Sequence, residues 1–143
     1  MLYSAAEAWA SRQFGEPVDD DVWSEFNGAG DLRLHEPTVG ELALRPWTTY
    51  SQAYDEYEGG TLATTVFVQA ELHVEGHMFK SEALASADSG AASVLEFDFN
   101  EHYAQVALGQ TLVVEIEFNA IVTPDAESVD DFRLSAIRLL EQV

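Results

Sequence analysis

Leu62-Ala63-Thr64-Thr65-Val66-Phe67-Val68-Gln69-Ala70-Glu71-Leu72-His73-Val74 and Leu112-Val113-Val114-Glu115-Ile116-Glu117-Phe118-Asn119-Ala120-Ile121-Val122 are the two stretches on which the fold turns. In the first, Leu62, Val66, Val68, Leu72 and Val74 share one parity, with Glu71 and His73 on the other. In the second, Leu112, Val114, Ile116, Phe118 and Val122 alternate with Val113, Glu115, Glu117, Asn119 and Ile121. A period of two sends successive side chains to opposite faces, so both stretches read as strands with one face turned to a core.

Downstream of the first run, Glu75-Gly76 reads as a turn, and His77 to Ala85 as the returning strand of a hairpin closed by a second turn at Ala87-Asp88-Ser89-Gly90. Val94 to Phe99 alternates again, with Leu95, Phe97 and Phe99 opposite Glu96 and Asp98. The segment from Asp131 to Leu140 fits both periods; its alternation of Phe132, Leu134 and Ala136 favours a final strand.

Upstream, Leu2 to Phe14 reads as a helix: Ser4 and Glu7 have capping-box spacing, alanines fill the middle, and Gly15 and Pro17 close it. Its apolar face carries Leu2, Ala6 and Trp9. Asp19-Asp20-Asp21 suits the first turn of a short helix through Phe26, because carboxylates satisfy and complement the exposed amides there. Asp31 to Trp47 alternates weakly and is broken by Pro37, Gly40 and Pro46, which suits edge strands. Tyr50, Tyr54 and Tyr57, interleaved with acids, read as an exposed connection. The expected class is therefore mainly β (α+β): an N-terminal helix followed by an antiparallel sheet closing as a β-sandwich or barrel. One domain is expected over 1–143, with helix and edge segments in 1–60 and the antiparallel core in 61–143.

Charge dominates the chemistry. Twenty-six acids face one lysine and five arginines, for a formal charge of -20. Mass scaling gives a folded surface of ~7300 Å², or one uncompensated negative charge per ~365 Å². That surface repels nucleic acid and anionic membranes and speeds encounter with a basic protein surface. Direct nucleic-acid binding and a membrane partner are accordingly not expected, while a homo-oligomer remains compatible. The opening residues lack a basic signal-like region and no apolar run reaches the ~18 residues of a membrane span, so the expected location is the host cytoplasm or a virion.

Cysteine is absent, which removes disulfides and thiolate chemistry. No G-x-S-x-G elbow or phosphate-binding glycine loop occurs, so neither an enzyme nor a cofactor is expected. Glu71, His73, Glu75 and His77 alternate and would share a side if the strand were continuous, but a turn at Gly76 would separate them, so no metal site is assigned. The acids themselves are ordered. Glu71 and Glu75, Glu96 and Asp98, and Glu115 and Glu117 each fall opposite an apolar face, and residues two apart along a strand are ~6.7 Å apart, close to the ~6.8 Å advance of two nucleotides.

In size, acidity and want of catalytic motifs the chain is similar to phage-encoded DNA-mimic inhibitors, including anti-CRISPR and anti-restriction proteins. No shared motif carries that similarity. It implies a nucleic-acid mimic whose six carboxylates block the basic site of a DNA- or RNA-binding protein. The alternatives are a virion structural or assembly protein, such as a head-tail or tail component, and an acidity that reflects adaptation to molar salt.

Overall fold

The computed structural model describes residues 2–26, 33–45, 50–51, 55–56, 60–123 and 129–142. Tyr54 and Tyr57 lie outside the described residues. Helices α1 (Leu2–Ser11) and α2 (Asp20–Phe26) precede strand β1 (His35–Leu44) and the two-residue strands β2 (Tyr50–Ser51) and β3 (Asp55–Glu56). There follow the long strand β4 (Leu62–Phe79), helix α3 (Lys80–Ser89) and strands β5 (Ala92–Glu96), β6 (Tyr103–Leu108), β7 (Leu112–Val122) and β8 (Val129–Gln142).

One antiparallel sheet holds all eight strands, in the path β5-β6-β4-β7-β8, with β1, β2 and β3 also paired to β4. Along one edge β4 receives β3, β2 and β1 in turn. Along the other it receives β7 from Leu62 to Leu72 and β6 from Glu75 to Phe79. The two runs read from sequence are thus neighbours, registered Val66 to Phe118 and Ala70 to Val114.

Alternation decides what each face buries. Val66, Val68, Ala70, Leu72, Val74 and Met78 of β4 are buried with Val114, Ile116 and Phe118 of β7 and Ala104 and Val106 of β6. The three helices cover this inner face. Trp9 of α1 meets Phe118 edge-on at 5.1 Å between ring centroids, and Phe132 of β8 stacks on Phe118 at 4.5 Å. Val22 of α2 and Ala83 of α3 are fully buried in the same cluster. Asp19 caps α2 as its position predicts: its carboxylate accepts from the backbone amides of Asp21 at 3.0 Å and Val22 at 3.2 Å. Beyond α1, Gly15 and Val18 donate to the carbonyls of Val39 and Pro37, and Val39 donates to that of Glu16, so this segment lines the outer edge of β1.

Four expectations change. The sheet is not a closed barrel: its path ends at β5 and β8, and all described strands belong to one sheet backed by helices. The capping box is not formed, because α1 already includes Ser4 within its first turn. The hairpin over His77 to Ala85 is replaced by three further strand residues and α3. Lys80–Ser89 carries three Ala with one each of Leu, Lys and Glu, all strong helix formers, and Gly90 ends it in a left-handed conformation with its amide on Ala87 and that of Ala91 on Ser86. Finally, Gly76 is not a turn residue. It sits mid-strand between β1 and β6, and a Cβ there would lie 2.6 Å from Leu34 Cγ and 2.9 Å from the His35 carbonyl. Glycine is needed at Gly76 because another backbone passes close to it.

Gly76→Val is expected to lower the unfolding free energy by about 1–3 kcal/mol, the usual range for overpacking, read from urea denaturation. Unchanged stability would show that the approach of Leu34 is not constrained.

Candidate functional site

The odd-numbered positions of β4 form the outer face, away from the helices. Register extends this face across the sheet. Glu71 lies beside Val113 and, beyond it, Glu141; Gln69 lies beside Glu115 and Arg138; Phe67 lies beside Glu117 and Ala136. Glu75 stands four residues further along β4, its carboxylate folded over Gly40, where a Cβ would approach within 2.7 Å of Oε2. Glu96, the last residue of β5, is registered against Gln105, which faces His77. Five of the six carboxylates picked from sequence therefore share the outer face. Asp98 does not: it lies in the turn after β5, because the strand ends at Glu96 and not at Phe99 as the alternation implies.

Scarce cations are spent on this set. Arg138 grips Glu115 through Nη2 at 2.7 Å and Nε at 3.0 Å, and the Glu115 side chain is only 12% exposed. Arg45 meets Glu71 at 3.3 Å, with the Glu71 side chain 45% exposed. Lys80, the sole lysine, pairs with Asp98 at 3.1 Å and lies over the Phe97 ring. Glu117 is held instead by a neutral group, the Ser135 hydroxyl donating at 2.8 Å, which brings no countercharge to it. Arg33 and Arg133 pair with Glu82 and Asp131. Exposed pairs of this kind contribute about 0–1 kcal/mol each, whereas the two contacts from the exposed Arg138 to the shielded Glu115 carboxylate matter more to the fold.

Two acids of β1 were not singled out from sequence. Glu41 is registered opposite His73 and adds to the outer face, and Glu36 reaches His77 Nδ1 at 3.6 Å. Their positions follow from pairing with β4, a non-local event; the only local hint was the weak alternation of the segment around Pro37.

Because β4 runs unbroken through Gly76, Glu71, His73, Glu75 and His77 do occupy alternate positions on one side. They do not converge. Alternate strand positions are ~6.7 Å apart, and no group of three His, Asp or Glu side chains among the described residues is placed to hold a metal ion. His73 instead approaches the Thr111 hydroxyl at 3.5 Å. Among the described residues no helix is long and apolar enough to cross a membrane.

The fold and site together define a helix-backed antiparallel sheet with an acidic outer face. Comparison with protein families, curated proteins and solved structures returns no match.

Arg138→Gln is expected to destabilise the fold by about 1–3 kcal/mol in urea, since it removes the charged guanidinium contacts to a Glu115 carboxylate that is only 12% exposed. Arg45→Gln, facing the more exposed Glu71, is expected to cost about 1 kcal/mol or less.

Proposed function

We propose that this chain is a non-enzymatic acidic interaction protein, of viral or mobile-element origin, that mimics nucleic acid and occupies the basic site of a DNA- or RNA-binding protein. The observation that carries this reading is the gathering of Glu41, Glu71, Glu75, Glu96, Glu115 and Glu117 on one face while helices seal the other. Glu115 and Glu117 stand two residues apart on β7, a spacing of ~6.7 Å. A basic groove built for phosphates meets carboxylates there with the same charge-assisted hydrogen bonds.

The internal ion pairs refine the assignment. Glu115 is committed to Arg138, so the fold draws on it as much as a partner would. Glu41, Glu75, Glu96 and Glu117 are the carboxylates best placed for a partner, and Glu71 can exchange its exposed Arg45 contact for an incoming arginine. The binding site is expected in the cytoplasm of a host cell.

Assembly into a virion remains the second reading, favoured by one observation. β8 is a fourteen-residue strand at the end of the sheet path, with Leu134 and Leu140 exposed on it. Long edge strands are templates for pairing with another chain.

For mimicry, a Glu41→Gln, Glu71→Gln, Glu117→Gln triple variant is expected to keep its fold and to bind a basic DNA-binding partner about tenfold or more weakly. Duplex DNA and raised salt should each release the wild-type complex. Retention of the partner in the presence of excess DNA would overturn the reading. For assembly, sedimentation velocity over a hundredfold dilution, a range of about two decades in mass action, is expected to show a change of oligomeric state; one monomeric species throughout would remove it.

A further inference from the structure

At the far end of the outer face, beyond Glu75, the acids give way to rings. His35, Glu36, His77, Phe99, Asn100 and Tyr103 line a cavity of about 420 Å³. That is within the range of small-ligand sites and ample for one side-chain head group and its stem.

Three strands and the turn between β5 and β6 build the cavity. His35 of β1 and His77 of β4 are direct cross-strand partners, and Tyr103 of β6 is registered against Phe79 beside them. His77 stacks on Phe99 at 4.3 Å and 20°, and Tyr103 stacks on Phe79 at 4.9 Å and 19°. The His35 ring stands edge-on to both Phe79 and Tyr103. Asn100 fixes the loop between them: its side-chain oxygen accepts from the amides of His102 at 2.9 Å and Tyr103 at 2.8 Å. The rings are therefore held by register and by a capped turn before any ligand arrives.

Glu36 supplies the charge. Its backbone has φ of 52°, the one positive value among described non-glycine residues, and it precedes Pro37, which disfavours helical backbone at that position. An L-residue adopts such a conformation only at an energetic cost. It coincides with the register shift between His35 and Thr38 and sets the Glu36 carboxylate, 81% exposed, at the rim beside His77. Backbone outliers held by their surroundings mark functional positions more often than ordinary loops do.

We propose that this cavity is a receptor for a guanidinium group, the head of one arginine of a basic protein partner. The proposal rests on the acidic-interaction reading above for the partner being a protein, and goes beyond it in naming the group that docks. Four features select that chemistry. Aromatic faces attract cations, and guanidinium most of all because it is flat and can stack. Glu36 offers a carboxylate for its fork of donors. No lysine or arginine lines the cavity. The chain carries a net charge of -20, which opposes an anion at the same place.

The test uses the intact chain and N-acetylarginine amide as probe, with N-acetylcitrulline amide as its uncharged isostere and N-acetyllysine amide as the non-planar cation. Carbon-edited NMR follows the ring signals of His35, His77, Phe99 and Tyr103. Saturable shifts confined to these rings are expected with the arginine probe, about tenfold weaker with citrulline and about threefold or more weaker with lysine. Glu36→Gln, a change at an exposed side chain, should weaken arginine binding about fivefold while leaving signals elsewhere in place. Tyr103→Leu provides a second variant that should lose the ring contact and the binding together. Equal shifts with citrulline, shifts that rise linearly without saturating, or unaltered binding in both variants would each overturn the proposal. Because the titration needs no protein partner, its failure leaves nucleic-acid mimicry standing, and failure of DNA displacement leaves the receptor standing.

Discussion

An unbroken strand of eighteen residues is the constraint on which the rest of the molecule depends. β4 spans about 60 Å at the rise of a strand, and every other strand except β5 and β8 is hydrogen-bonded directly to it. Its even positions supply the spine of the core and its odd positions the spine of the outer face. Any slip of one residue would exchange the two sets, sending Glu71 and Glu75 inward and Val68 and Val74 to solvent. The burial of Val66, Val68, Leu72 and Val74 therefore fixes where the acids point.

The same strand divides the outer face into two chemically distinct parts. Over the span paired with β7, Glu71, Glu115 and Glu117 stand among apolar and neutral side chains, and arginines of β8 and of the segment after β1 bind two of them. Over the span paired with β6, rings gather beside Glu75 and Glu96, and Glu36 brings a further carboxylate to them. Gly76 lies between Glu75 and His77, and only because it lets Leu34 and His35 pass close does β1 reach far enough to place His35 opposite His77. A packing contact on the inner side thus assembles the cavity on the outer one.

Electrostatics follow from scarcity. With six cations for twenty-six acids, pairing cannot neutralise the surface, and the observed pairs go to places where they also support structure: the shielded Glu115, the turn at Asp98, and the acid of α3 at Glu82. The remaining charge is the property a partner meets. In water, like charges at strand spacing repel by only roughly 0.6 kcal/mol, a cost that a core of this size absorbs.

Strand alternation in Leu62 to Val74 and Leu112 to Val122, the capping of α2 by Asp19, the N-terminal helix with Trp9 on its buried side, the final strand, and the sign of the surface were all legible in the amino-acid sequence, because each depends on neighbours a few residues away. The helix at Lys80–Ser89 is also written locally, in its helix-forming residues and in Gly90, whereas the continuity of β4 through Gly76, the displacement of Asp98 into a turn, the commitment of Glu115 to Arg138, and the meeting of His35, Glu36 and His77 with Phe99 and Tyr103 were decided by tertiary structure alone. Each turns on which backbone lies alongside which, and a glycine that ends a strand is written with the same letter as one that makes room for a neighbour.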